Sequence, residues 1–256
     1  MDVVVLTKYV PNPSGIPPEI GPDFRLRREE GDGGLDPSDE PGVEIGTRLV
    51  EKHGGRLIAV SLGPERAVRA LHRALSLGAD AGVLVTDDVF RHADALATAR
   101  ALAAAIRRRS FDLVIAGVES TDGATGTMPI TLAELLGLPC ATFARQFTLD
   151  DGRLSIERQH ESGYDLVECE LPALVTVTAG VAEARYPSPR DMIQARKKPI
   201  ERLSLADLGL FVDDVGATQR VTAVEIAPER QAGELVEDAT VAPGRILALL
   251  EEAKAI

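Results

Sequence analysis

The feature that most restricts how this chain can fold is a short apolar run that keeps returning, usually followed by a longer stretch of helical periodicity. Residues 2–7 are continuously β-branched or apolar after Asp2, which suits a strand covered on both faces rather than one alternating between core and solvent. Similar runs stand at 57–61, 82–85, 112–116 and 173–177. Between them, 64–77 opens on Pro64, places Ala67, Ala70, Leu71 and Ala74 on one helical face and stops at Gly78. Residues 93–109 repeat this with Leu96, Ala99, Leu102, Ala103 and Ile106, closing on three arginines that complement the helix dipole. Strands alternating with helices predict a doubly wound, mostly parallel α/β sheet of the Rossmann-like kind.

Two segments break the alternation. Residues 12–36 are rich in Pro, Gly and charge and predict a long excursion, or loose hairpin, before a helix near 41–53. Residues 143–149, 154–160 and 163–170, separated by Asp150-Asp151-Gly152 and a turn before Gly163, predict antiparallel strands added at the sheet edge. Domain organisation follows: an α/β domain over 1–209, then 210–256, apolar-poor until 246–250. This tail is either an arm for a partner or a loosely ordered terminus.

Several functions are disfavoured by bulk properties. A net charge of −12 over 256 residues opposes general nucleic-acid binding. No apolar run approaches the roughly 18 residues of a membrane span, and the N-terminal run is too short and lacks the basic flank of a signal peptide, so a cytoplasmic location is expected. Cys140 and Cys169 are too far apart in sequence for a CxxC site and are expected to be buried thiols. The four histidines are scattered. No common catalytic or metal-binding motif occurs, so neither catalytic residues nor metal ligands are expected.

Two segments carry chemistry. Residues 117–129 (Gly-Val-Glu-Ser-Thr-Asp-Gly-Ala-Thr-Gly-Thr-Met-Pro) join a strand's carboxyl end to a helix. That is where an open α/β sheet binds ligands and where backbone N–H groups and the helix dipole attract a phosphate, although the same residues also suit a capped turn. Residues 185–199 carry five basic residues against one acid, with Met192 and Ile193 in their midst. They suit either a docking surface for an acidic partner or a solvated helix end.

The loop at 117–129, Glu-Leu-Pro-Ala-Leu-Val-Thr-Val-Thr-Ala-Gly-Val at 170–181 and the run at 184–201 resemble the beta subunit of electron-transfer flavoproteins. The N-terminal Val-Val-Val-Leu-Thr-Lys-Tyr-Val-Pro, and the pieces 35–40, 58–64 and 206–209, fit in the same order. The resemblance implies a non-enzymatic electron carrier: a heterodimer with a larger alpha subunit that holds most of the FAD near the interface, with AMP in this chain. Leu6 and Leu62 would contact the nucleotide, Asp36 and Asp39 would approach the adenosine, and Asp122, Gly123, Ala124, Thr125, Gly126, Thr127, Met128 and Ala133 would wrap the phosphate. Arg185, Tyr186, Pro189, Met192, Ile193, Arg196, Lys197 and Lys198 would form a recognition loop for acyl-CoA dehydrogenases in fatty acid β-oxidation. Electrons would pass on to a membrane quinone oxidoreductase. A bifurcating relative with a second FAD here and NADH as donor, which 93–106 somewhat resembles, and a stand-alone nucleotide-binding stress or signalling module are the alternatives. Departures from the family pattern are Asp36 for Asn, Ala124 for Asp, Gln159 for Glu and Pro189 for a bulky apolar residue.

Overall fold

The apolar runs become neighbouring strands of one sheet. The computed structural model describes residues 1–11, 19–28, 33–225 and 233–255. Strands β1 (Asp2–Leu6), β4 (Arg56–Leu62), β5 (Ala81–Val85), β6 (Leu113–Gly117), β7 (Cys140–Asp150), β10 (Ala173–Val177) and β11 (Ile200–Leu203) are parallel; β8 (Arg153–His160) and β9 (Gly163–Glu170) run antiparallel to their neighbours. The nine-stranded order is β11-β5-β4-β1-β6-β10-β7-β8-β9.

Both faces of the sheet are covered, which is why its strands read as continuous apolar runs. Val3 and Val5 face α1 (Glu40–His53) and α2 (Val68–Ser76), where Val43, Leu49, Leu71 and Leu75 join their cluster. Val4 and Leu6 face the other way, towards α3 (Ala95–Ile106) and α4 (Met128–Leu136), with Leu102, Ile106 and Leu132. The alternating alanines of α3 favour the helix and bring its axis close to its neighbours. The helix expected over 64–77 starts later, because a 3₁₀ turn at Glu65–Ala67 precedes α2. A second 3₁₀ turn at Asp88–His92 precedes α3, which begins where the Asp94 carboxylate accepts the Ala97 N–H at 2.8 Å.

The expected hairpin closes through β2 (Tyr9–Pro11) and β3 (Gly33–Leu35), a small antiparallel pair, with a bridge between Ile20 and Leu26 inside it. Residues 12–18 and 29–32 of that excursion lie outside the described residues. The edge ribbon is present and turns a corner. Phe143 holds φ at 58° and the pairing slips between Ala144 and Gln146, so Leu149, Leu154 and Ile156 pack into the α1-side core. The cysteines are half-buried instead of buried, Cys140 packing in part against the α4-side cluster and Cys169 in part against the α1-side cluster. Even so, burial pushes both thiols up.

The chain divides into units Met1–Val221 and Thr222–Ile256. The first runs past residue 209 because Val215 is core and the Asp94 carboxylate also accepts the N–H groups of Thr218 and Gln219, at 2.6 and 3.1 Å. The second holds α6 (Ala242–Glu252), whose Arg245 pairs with Glu234 at 2.6 Å and whose Ile246, Leu247, Leu249 and Leu250 are exposed. Among the described residues no helix is long and apolar enough to cross a membrane, and no group of three or more His, Cys, Asp or Glu could hold a metal ion.

Candidate functional site

From β1 the chain moves to β4 and β5, then returns on the other side of β1 as β6. Such a reversal opens a crevice at the carboxyl ends of the strands, where open α/β sheets take their ligands. Leu6 ends β1, Leu62 ends β4 and Gly117 ends β6, so three of these strand ends meet there. From Gly117 the loop 118–127 leads into α4.

Two carboxylates at the start of α1 shape the floor of the crevice. Asp36 is fully buried: its oxygens accept Ser38 N and Oγ at 3.0 and 2.8 Å and Thr121 N and Oγ1 at 2.8 and 3.2 Å. It therefore stitches the 36–39 piece to the loop after β6. Asp39 precedes α1 but makes no side-chain cap, since its carboxylate turns back to accept Lys8 N–H at 2.7 Å. Gly117 is required opposite it, because a Cβ there would stand 2.8 Å from Asp39 Oδ1.

Burial, and then the nearby charge of Asp36, hold the Asp39 carboxyl well above the usual carboxylate range. A raised acid stabilises the fold below its unfolded pKa and loses that stabilisation as pH rises through its folded value. Asp39→Asn keeps an acceptor for Lys8 N–H and removes the buried charge. It is expected to flatten the decline in stability with rising pH and to raise Tm at pH 8 by roughly 2–4 °C, read by calorimetry across pH.

Asp122 behaves in the opposite way. Its side chain is 3% exposed, with Lys8 Nζ at 2.6 Å on one oxygen and Arg28 Nε at 2.6 Å on the other. Burial pushes this carboxyl up, but the Lys8 charge and the hydrogen bonds from Lys8 and Arg28 outweigh it and bring it to about 2. The stabilisation is present above the unfolded carboxylate pKa and is lost as pH falls towards 2. Because both cations are part-exposed, it amounts to about 1–2 kcal/mol. Acid unfolding of Asp122→Asn is expected to lack that increment between pH 4 and 2.

The remainder of the loop suits an anion. Ala124 and Gly126 hold φ at 43° and 62°, left-handed backbone of the kind that anion-binding turns use. Ala124 N–H reaches Ser120 O at 2.9 Å, and among the described residues nothing accepts the N–H groups of Thr125, Gly126 and Thr127. The N-terminus of α4 begins at Met128 beside them. Donors without acceptors, a helix N-terminus and two neighbouring cations fit the phosphate of a nucleotide. Ala133 is buried core on α4, at 1% exposure, so its side chain serves packing.

The second candidate segment lies past β10. Ser188 and Asp191 form a capping box that starts α5 (Pro189–Ala195), with Pro189 at its first turn, where a fixed φ favours the helix. Tyr186, Met192 and Ile193 are exposed by 93, 49 and 63%, flanked by exposed Arg190, Arg196 and Lys197. Arg185 and Lys198, expected on the docking face, are engaged internally. Arg185 binds Glu44 at 2.8 Å and Glu51 at 2.7 Å, and Lys198 Nζ caps the carbonyls of Leu75 and Ala79 at 3.0 and 2.6 Å. They fix the two ends of the segment, above a shallow pocket of about 160 Å³ against the end of α2.

Comparison with known proteins decides the family. The family described as "Electron transfer flavoprotein domain" matches residues 24–208. Proteins named electron transfer flavoprotein subunit beta are similar along most of the chain. The one from Mycobacterium leprae is 37% identical over 246 residues, covering 93% of this chain and 92% of that protein. The one from Bacillus subtilis is 35% identical over 225 residues, covering 87 and 88%. The chain belongs to the electron transfer flavoprotein family, on the beta-subunit side, and is an electron carrier subunit rather than an enzyme.

Within this flavoprotein family member, the structure gathers Leu6, Asp36, Asp39, Leu62 and Asp122–Thr127 around one crevice and holds the 185–198 segment apart, beside α2. Sequence reasoning missed Lys8 and Arg28, both in that crevice, and Glu44, which anchors Arg185; Ser120 and Thr121 lie in the 117–129 loop but were not named individually. For Arg28 a signal existed: Phe-Arg-Leu-Arg-Arg at 24–28 is a basic run within an acidic chain. Gln159 is exposed on β8 opposite Tyr164.

Proposed function

We propose that this chain holds AMP in the crevice between β1 and β6 and pairs with a larger alpha subunit carrying FAD, as a cytoplasmic carrier. In this reading it accepts electrons from acyl-CoA and related dehydrogenases and delivers them to a membrane quinone oxidoreductase. The observation that carries it is the loop 118–127, which sits at the reversal point of the sheet with left-handed backbone and unused N–H groups. The flavin supplies the redox chemistry. This chain contributes a rigid sheet, the nucleotide cradle and a docking surface.

Docking is assigned to Tyr186, Pro189, Met192, Ile193, Arg196 and Lys197, an apolar centre in a basic rim, with Arg185 and Lys198 supporting it from below. Exposed aromatic and aliphatic anchors ringed by charge suit a transient, electrostatically steered partner. Co-expression should yield a complex with a larger chain bearing one FAD, and Ile193→Ala with Tyr186→Ala should slow reduction by an acyl-CoA dehydrogenase about tenfold or more without changing FAD content. Purification without a flavin-bearing partner, or variants reduced at the parental rate, would contradict the reading.

A further inference from the structure

A carboxylate in the middle of a phosphate loop is a conflict, since Asp122 would repel the phosphate that the loop is assigned to hold. Its geometry removes the conflict. Both Asp122 oxygens are turned away into contacts with Lys8 and Arg28, and the side chain is 3% exposed. Two cations face this one carboxylate, so Asp122 presents no unpaired negative charge to the loop.

Neither cation is exhausted. Lys8 Nζ uses two of its three protons, on Ser120 Oγ at 2.9 Å and Asp122. Arg28 gives only Nε to Asp122, and among the described residues nothing accepts from its terminal nitrogens. Their side chains are 39 and 42% exposed. Lys8 Nζ and Arg28 Nη2 each lie 3.6 Å from where a Cβ on Gly123 would stand, so both cations converge on the loop backbone. The Arg28 main chain is itself held, its carbonyl accepting from Arg66.

We propose that Lys8 and Arg28 are the phosphate-binding cations of the nucleotide site, and that Asp122 is the positioning residue that aims them across Gly123. The inference rests on the nucleotide reading above and deepens it. The N–H groups of Thr125, Gly126 and Thr127 receive the phosphate oxygens from one side and the two cations from the other. Lys8 and Arg28 therefore set the preference for a nucleotide over its nucleoside.

The test uses the complete, nucleotide-stripped complex, titrated calorimetrically with AMP and separately with adenosine. Lys8→Met and Arg28→Met are each expected to weaken AMP about tenfold or more and to leave adenosine within about twofold, while Lys8→Arg and Arg28→Lys keep most of the AMP affinity. Equal losses for AMP and adenosine, or AMP binding unchanged in both Met variants, would overturn the assignment. If Lys8→Met does not fold, Arg28→Met decides, since that residue lies on the exposed excursion. A wild type that binds both ligands equally overturns this inference alone; one that binds neither overturns the nucleotide reading as well.

Discussion

Asp36→Ala is expected to cost about 3 kcal/mol of stability and to abolish ordered nucleotide binding, because it removes the acceptor of four donors and strands two of them, the N–H groups of Ser38 and Thr121, at a fully buried position. One effect opposes this loss. Removing the Asp36 charge relieves the repulsion that raises Asp39. The stranded donors win, since the N–H groups of Ser38 and Thr121 have no other acceptor within the turn and each unsatisfied buried group costs about 1–3 kcal/mol. Asp36→Asn should fall between, because one amide oxygen can serve Ser38 or Thr121 but not both. Urea unfolding at pH 7 reads the stability, and the AMP titration reads the loop. If Asp36→Ala leaves both unchanged, the stitch between 36–39 and 118–122 is not what holds the crevice.

Arg185→Ala is expected to be the most damaging change in the docking segment, although its side chain does not belong to the docking face. Glu44 is 3% exposed, and without Arg185 its carboxylate keeps only Arg48 at 2.6 Å. Burial pushes the Glu44 carboxyl up, yet the hydrogen bonds from Arg185 and Arg48 hold it below its ordinary value. Breaking a fully buried pair from one side costs about 3–5 kcal/mol; with the guanidinium 35% exposed, about 2–3 kcal/mol is expected here. Glu51→Gln, which removes only the exposed half of the clamp, should cost less than about 1 kcal/mol. Arg185→Ala should also slow reduction by a dehydrogenase, because the residues leading into Ser188 lose their tie to α1. Thermal unfolding and the reduction rate, measured on the same preparations, separate the two consequences. Equal stability losses for both variants would show that burial of Glu44 is not the source of the effect.

What could be read in the sequence follows from where the physics is local. Strands β1, β4, β6 and β10 are covered on both faces, so they appear as unbroken apolar runs, and α1 to α3 show their buried faces as periodicity. Strand β11 lies at the sheet edge and reads Ile-Glu-Arg-Leu, which carries no such run. Strands β2 and β3 are three residues each, and β3 is Gly-Gly-Leu, a poor strand former held by its pairing with β2 and by Leu35 in the core. Helix α5 spans seven residues, too few for a periodic pattern.

The candidate site divides in the same way. The loop after β6 announces itself by Gly, Thr and Ser between a strand and a helix. The contacts that govern its charge do not, since Lys8 and Arg28 stand 114 and 94 residues from Asp122 in the chain. The basic run at 185–198 suggested one docking surface. In three dimensions Arg185 and Lys198 turn inward to Glu44 and to the end of α2, and only the residues between them face solvent.

On the reading proposed above, the crevice between β1 and β6 holds AMP in a carrier whose flavin belongs to the partner chain. The most direct test of that reading is to denature the native complex and determine the mass and amount of each small molecule released. One AMP and one FAD per pair of chains is the expected result. Two flavins and no AMP, or no adenine nucleotide from this subunit at all, would contradict it.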